Sequence, residues 1–501
     1  MENLKGLGEP QEFWDYLFQI SKIPRCSRNE ELMRAYIEKE ASKLKFEHKI
    51  DQIGNIVVRV PPQTNTEKEP LRIVLQSHMD MVCEKNEEIE HDFSKDPLRL
   101  KVIDIDNEKW LTAEGTTLGA DNAVGMAYQL AVMRKIYNGE LNLGSIHLDL
   151  LFTVDEERGL SGASKIDQNL IKGKYLINLD SEEDNQFTIG CAGGRVFKVE
   201  IKDERVSIEK MKDQITPLKL DVMGLMGGHS GTDINKRRGN ANKILAEIMW
   251  KLNKEFKIYL CSINGGNLTN AIPREAHAIF YVKKEESKII KEKIELYKPY
   301  IKSLFEGIDS NLIITCEEYQ KNLNHLIIAN DLKDKLLDLF YLIPNGPLSI
   351  HPKNPNLVHT SDNFAVIKTK PNSIKIKIST RSLTEYGKEV IYEKIITLFN
   401  AFNFDMNLTI ITDYPSWDPD FSSLLTSKAR VLYKELFNKE VNIKAIHAGL
   451  ECAYFSKYYP NMQMISIGPD IKGGHSPDEQ LKIQSIEKIW KFLITLIKNL
   501  H

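Results

Sequence analysis

Apolar residues recur at helical spacing early in the chain. Leu32, Met33, Tyr36, Ile37, Ala41 and Leu44 sit between charged positions, which predicts a helix. A turn rich in Pro and Thr over 61–70 closes that stretch. Beyond it the pattern becomes short, continuous apolar runs: Leu71 to Leu75, Ile146 to Val154, Tyr175 to Leu179 and, far downstream, Met464 to Ile467. Helix-like stretches such as Ala123 to Ile136 separate them. Continuous runs suit strands covered on both faces, so the alternation predicts an α/β fold: a mostly parallel, twisted sheet covered by helices.

The middle of the chain has a different grain. Segments 218–223, 257–263 and 276–282 read as strands, and 240–254 and 285–306 as Lys/Glu-rich helices. A strand-like KIKIST at 374–380 precedes a helix at 385–401. This mixture predicts an α+β domain over 208–413, inserted between 1–207 and 414–501. Charge runs such as Lys283 to Glu286 read as solvated helix faces.

Composition narrows the function classes. The 501 residues support two to four domains on the usual size prior. Lys and Arg total 67 against 70 Asp and Glu, and a net charge of −3 gives no reason to expect a nucleic-acid partner. No apolar run approaches the ~18 residues that span a bilayer, so no membrane partner is expected. Met1 to Trp14 is polar, without the apolar stretch of a signal peptide. Six cysteines lie far apart with no C-x-x-C pair, which argues against a disulfide framework or a thiolate zinc site. A cytoplasmic protein is expected.

The chemistry follows the apolar runs. The first leads into Gln-Ser-His78-Met79-Asp80, the second into Asp155-Glu156-Glu157, the third into Asp180, and the last into a loop ending Gly-Gly-His475. Asp121 lies in a small-residue turn ahead of a helix. Ligands of open α/β sheets bind outside the carboxyl ends of the strands, so these residues are expected to converge there. Nitrogen and carboxylate donors without thiolate suit catalytic zinc, manganese or cobalt. Their number exceeds the needs of one tetrahedral ion and suits a two-metal hydrolytic site. In His78-x-Asp80 the two side chains share a strand face, so the carboxylate can fix the imidazole tautomer. Each feature has a plainer reading alone: a surface pair, a dipole-favoured acidic pair at a helix start, an N-cap. Their repetition after each strand favours the metal centre.

The same residues sit in segments that resemble the aminoacyl-histidine dipeptidases, also called cytosolic non-specific dipeptidases or peptidase D. These belong to the co-catalytic metallopeptidases that include carnosinases. The segments include LQSHMDMVCEK (75–85), TTLGADNAVGMA (116–127), LLFTVDEERGLSGA (150–163), NLDSEEDNQFTIGCAGG (178–194), GGNLTNAIPREA (265–276), HAGLEC (447–452) and ISIGPDIKGGHSPDE (465–479). The resemblance implies a catalytic domain carrying an inserted lid, and hydrolysis of unblocked dipeptides with broad specificity or an Xaa-His preference. It implies two divalent ions, zinc first and cobalt or manganese as alternatives. His78 and Asp180 would hold one ion and Glu157 and His475 the other, with Asp121 bridging and a cis peptide after it. Asp80 would orient His78. Glu156 would take the proton of the attacking water and return it to the leaving amine. His229 would reach the scissile carbonyl and Arg381 the substrate carboxylate. Asn270 and Arg274 are weaker candidates for substrate contact, and Glu451 would support the site or meet the substrate amine. A homodimer follows if His229 acts across subunits.

Two other readings remain at this point. An N-acyl amino-acid deacylase keeps the metals and needs no free amine on its substrate. A catalytically silent scaffold is expected to have lost a ligand, and Asp80, Glu156, Glu157 and His475 are all present.

Overall fold

The computed structural model describes residues 7–64, 69–320, 324–352 and 354–500; positions 65–68 of the predicted 61–70 turn lie outside the described residues. The chain divides into two compact units. The first comprises the chain up to Cys191, Trp417–Ala445 and Leu450–His501, and the second comprises Ala192–Ser416 and Ile446–Gly449.

In the first unit eight strands form one sheet: β1 (Glu47–Ile50), β2 (Ile56–Val60), β3 (Arg72–His78), β4 (His147–Thr153), β5 (Tyr175–Asn178), β6 (Gln186–Cys191), β7 (Asn442–Ile446) and β8 (Gln463–Ser466). Their order is β1-β2-β4-β3-β5-β8-β6-β7. The central four, β4, β3, β5 and β8, run parallel. The pairs β1–β2, β2–β4 and β8–β6 are antiparallel. The parallel centre is where the sequence has its continuous apolar runs, because those strands are buried on both faces. Ile73 and Leu75 of β3, Leu148 and Leu150 of β4 and Ile177 of β5 share a core with helices α1 (Gln11–Ile20), α2 (Glu31–Lys43), α3 (Ala120–Tyr137) and α4 (Ile483–Lys498). Phe13 and Trp14, Met33 and Ile37, Tyr128, and Phe492 are those helices' contributions.

Helix α3 lies close against the sheet at Gly125. A Cβ there would stand 2.6 Å from the Ser77 Cβ and 3.0 Å from the Leu179 carbonyl, and would run into the Asn122 side chain. Alanine normally favours a helix over glycine. Gly125→Ala is nevertheless expected to destabilise the protein, by about 1–3 kcal/mol of overpacking. Denaturant unfolding checks this, and an unchanged or raised midpoint would show that α3 can move away.

The expectation that no cysteines pair is corrected at one place. Cys26 and Cys83 form a disulfide across 57 residues of sequence. The segments 25–27 and 79–83 run side by side, with a parallel bridge between Cys26 and Met81 and the Met81 N–H donating to the Arg25 carbonyl at 3.1 Å. Pairing of such distant cysteines depends on the fold and leaves no spacing signature. Cys191, Cys261, Cys316 and Cys452 are free.

The second unit is built on an antiparallel sheet in the order Ile313–Glu318, Ile215–Met223, Ala276–Lys283, Tyr259–Gly265, Asn354–Thr369, Ser373–Ser382, Gly193–Lys202 and Met406–Tyr414, with Gly346–His351 paired to Asn354–Thr369. Helices Ala241–Glu255, Ser287–Ser303, Asn330–Leu342 and Glu385–Ala401 cover it, burying Leu245, Ile294, Leu336 and Ile395 against Leu220, Phe280 and Ile376. The unit begins ahead of the expected boundary near 207 because Gly193–Lys202 pairs with Ser373–Ser382 and Met406–Tyr414. That strand alternates apolar residues with Lys198, Glu200 and Lys202, and its pairing partners assign it to the second unit. No helix among the described residues is long and apolar enough to cross a membrane.

Candidate metal centre

The four parallel strands deliver their chemistry to one edge. β3 ends on His78 with Asp80 beyond it, β4 leads to Asp155, Glu156 and Glu157, and β5 leads to Asp180. The loop after β8 reaches His475, whose φ of 62° is left-handed. Helix α3 starts from Gly119, at φ 63°, and the peptide between Asp121 and Asn122 is cis. Asp121 itself has non-helical φ −78° and ψ 107°, so it stands outside the helical turn.

These residues meet around Asp121. His78 Nε2 lies 2.8 Å from Asp121 Oδ1 and 3.2 Å from Asp180 Oδ1. His475 Nε2 lies 3.2 Å from Asp121 Oδ2 and 3.0 Å from Glu157 Oε2. The two oxygens of one carboxylate therefore face two separate imidazole–carboxylate pairs. Asp80 is fully buried and works on two neighbours. Its Oδ1 lies 3.3 Å from His78 Nδ1, and its oxygens accept the backbone N–H groups of Glu156 at 3.0 Å and Glu157 at 3.2 Å. Ser27 Oγ donates to it at 2.8 Å. With Nδ1 turned to Asp80, His78 keeps Nε2 for the cluster. Asp155 turns elsewhere, to Arg28 at 3.3 Å.

The electrostatics reflect crowded acids around two imidazoles. Hydrogen bonds to Asp121 and Glu157 push the His475 pKa up to about 11. Burial works against charge on His78, but Asp180 and Asp121 raise its pKa well above the usual value. Burial raises Asp180 to about 7 and lifts Glu156 well above the carboxylate range, with Asp180, Glu157 and Glu451 adding to the rise in Glu156. Asp121 moves the other way: burial opposes its charge, yet the hydrogen bonds from His475 and His78 hold it low.

Ligand atoms of three groups lie within 4.8 Å of one another: His78, Asp121 and Asp180; Asp121, Glu157 and His475; His78, Glu156 and Glu157. Glu157 Oε1 is buried without a hydrogen-bond partner. Buried carboxylate oxygens are costly unless paired or bound to metal, so this donor set fits divalent cations.

The remaining candidates are less alike. Glu451 is fully buried in the first unit, and its Oε2 accepts from Gln76 Nε2 at 2.6 Å and Thr153 Oγ1 at 2.7 Å. It is thereby tied to β3 and β4 and closed to solvent. His229, Arg381 and Asn270 belong to the second unit. His229 Nδ1 accepts the N–H groups of Gly231 at 3.3 Å and Thr232 at 3.2 Å, which leaves its proton on Nε2. Burial and the Arg381 charge lower its pKa. The Asn270 carbonyl accepts the Ser230 N–H at 2.7 Å, setting that loop beside His229. Arg274 donates Nε to the Leu225 carbonyl at 3.1 Å and is occupied in holding the loop. Arg381 is 8% exposed, donates to the Tyr414 hydroxyl, and keeps Nε buried without a partner. No carboxylate among the described residues pairs with it, so it is not the surface ion pair that a strand-end arginine usually makes.

Sequence reasoning passed over Arg25 and Glu479, buried ionic residues that lie against the turns carrying His78, Asp80 and Asp121. Arg25 sits in an ordinary interhelical segment, and its burial is the only signal.

Residues 74–499 match the model of Peptidase family M20/M25/M40. The chain is 37% identical to the cytosol non-specific dipeptidase of Escherichia coli (strain K12), over 98% of each protein. Its fold matches the crystal structure of aminoacylhistidine dipeptidase from Vibrio alginolyticus with a TM-score of 0.88 and 33% identity, covering 98% of this chain and 96% of that one. A tripeptidase from Staphylococcus aureus has the same fold at a TM-score of 0.56 and 14% identity, with 98% of this chain and 99% of that one covered. The match to the family model and the extent of the Escherichia coli relative lead to one conclusion: this chain belongs to the M20/M25/M40 family of peptidases.

Proposed function

We propose that the protein is a metal-dependent dipeptidase that hydrolyses unblocked dipeptides. The observation that carries this reading is the position of Asp121, whose two oxygens face the His78–Asp180 and the His475–Glu157 pairs. Two divalent ions, zinc by preference with cobalt or manganese as alternatives, would be held by those residues with Asp121 between them. Such ions supply Lewis-acid polarisation of the scissile carbonyl and acidify water.

The chain's own residues do the rest. Glu156, half-buried beside His78 and Glu157, takes a proton from the attacking water and passes it to the leaving amine. Asp80 holds His78 in one tautomer and fixes the backbone of Glu156. His229, with its proton on Nε2, donates to the carbonyl oxygen, and Asn270 shapes the adjoining loop. Arg381 takes the substrate's terminal carboxylate, and Glu451 supports β3 and β4 from within the core. The relative named a cytosol dipeptidase supports a cytoplasmic enzyme.

The buried, unpaired Nε of Arg381 makes the carboxylate contact testable. A planar guanidinium grips a carboxylate through two parallel hydrogen bonds. Amidating the substrate's C-terminus should lower kcat/KM by about thirty- to a thousand-fold, equivalent to about 2–4 kcal/mol. Arg381→Ala should lower hydrolysis of the free acid and narrow the gap between acid and amide. The measurement compares wild type and variant on both substrates. Equal cleavage of acid and amide by the wild type, or faster cleavage of N-acyl amino acids than of dipeptides, would favour a deacylase.

A further inference from the structure

We propose that Arg25 and Glu479 are positioning residues that set the separation of the two ligand-bearing turns through the backbone of Gly119. This rests on the metallopeptidase reading above. Arg25 is 1% exposed and comes from the segment between α1 and α2. Its Nη1 donates to the carbonyls of Met79 at 3.2 Å and Asp80 at 2.8 Å, and its Nη2 donates to the carbonyl of Gly119. Glu479, also 1% exposed, accepts the Gly119 N–H at 2.7 Å through Oε2 and the Asp121 N–H at 3.3 Å through Oε1. One residue holds the C=O of Gly119 and the other its N–H. Their opposite charges meet across that residue.

The consequence is geometric. Segment 78–80 carries His78 and Asp80, and segment 119–121 carries Asp121. A rigid guanidinium fork that reaches carbonyls on both segments fixes how far apart they stand. The fit is close, since a Cβ at Gly119 would lie 2.5 Å from Arg25 Nη2 and 2.7 Å from Met81 Sδ. Stability alone is a poor reason for this arrangement. Burying a charge carries a desolvation penalty, and apolar packing commonly serves stability as well or better. A positive charge beside a cation site also works against the cation. The hydrogen bonds of Arg25 to three backbone carbonyls point to what the fork does to the backbone.

That opposition gives the test a sign. If Arg25 acted only through charge, Arg25→Met would tighten metal binding; as a positioning residue, its loss weakens it. We expect Arg25→Met to lower the affinity for added Mn²⁺ or Zn²⁺ by roughly ten- to a hundred-fold, the usual effect of losing a partner that orients a metal ligand. Arg25→Lys keeps the charge without the fork and should fall between. Glu479→Gln is nearly isosteric, leaves one N–H without its acceptor and should weaken binding about tenfold. The readouts are chelator-competition titration, kcat and KM measured separately, and thermal unfolding of the metal-free proteins. The expected pattern is weaker metal binding and lower kcat at unchanged KM, beyond what metal-free stability explains. Folded variants that bind metal as tightly as wild type, or tighter, would overturn the proposal. Should Arg25→Met not fold, Arg25→Lys and Glu479→Gln decide by the same criteria. Failure of all three to fold would show a purely structural brace and also overturn it. Wild-type protein that binds no metal would instead defeat the metallopeptidase reading.

Discussion

Glu156→Gln is expected to fold, to keep its bound metal and to lose nearly all turnover. The amide preserves the shape of the side chain and removes its basicity, a contribution of roughly 10²–10⁴ or more in rate. The surroundings leave no ready substitute. Asp155 pairs with Arg28, Glu157 faces His475, and Asp80 is committed to His78 and to the backbone of 156 and 157. Because the Glu156 N–H is held by Asp80 in either variant, the backbone should stay in place. Steady-state kinetics with metal analysis on the same preparation checks this. Wild-type kcat in a metal-replete variant would move the general-base role to Glu157.

Removal of metal should abolish activity completely, and added zinc, manganese or cobalt should restore it. The ligand set explains the pH dependence as well. Only neutral imidazole ligates, so protonation of His78 and His475 competes with the metal and affinity falls as pH falls. The neighbouring carboxylates raise both imidazole pKa values in the metal-free cluster, His475 to about 11, so the competition already operates at neutral pH and release is expected as the pH falls below neutral. Below that pH, excess metal should recover part of the activity, since proton and cation compete for the same nitrogens. Full activity after prolonged dialysis against excess chelator would exclude the metal requirement.

Much of the first unit is legible in the sequence because its central strands are continuous apolar runs and each ends in a residue with chemistry. His78, Glu156, Asp180 and His475 could be set at one sheet edge from that alternation alone. The antiparallel flanks were not legible: β2 pairs with β4 across almost a hundred residues of sequence, and β8 with β6 across nearly three hundred. The unit boundary is hidden for a related reason. Gly193–Lys202 alternates buried and half-buried positions like any half-covered strand, and only its partners assign it to the second sheet. The Cys26–Cys83 disulfide and the Arg25–Gly119–Glu479 contacts likewise join segments far apart in sequence. Glu451 is visible in its motif, but its complete burial against Gln76 and Thr153 is a property of packing.

Two cations are expected on either side of the Asp121 carboxylate. Anomalous diffraction from crystals grown with manganese, recorded on material shown to hydrolyse a dipeptide, tests it most directly. Two peaks per chain are expected, roughly 3.5–4 Å apart, one against His78 and Asp180 and the other against His475 and Glu157. A single peak, or none at these residues in active enzyme, would contradict it.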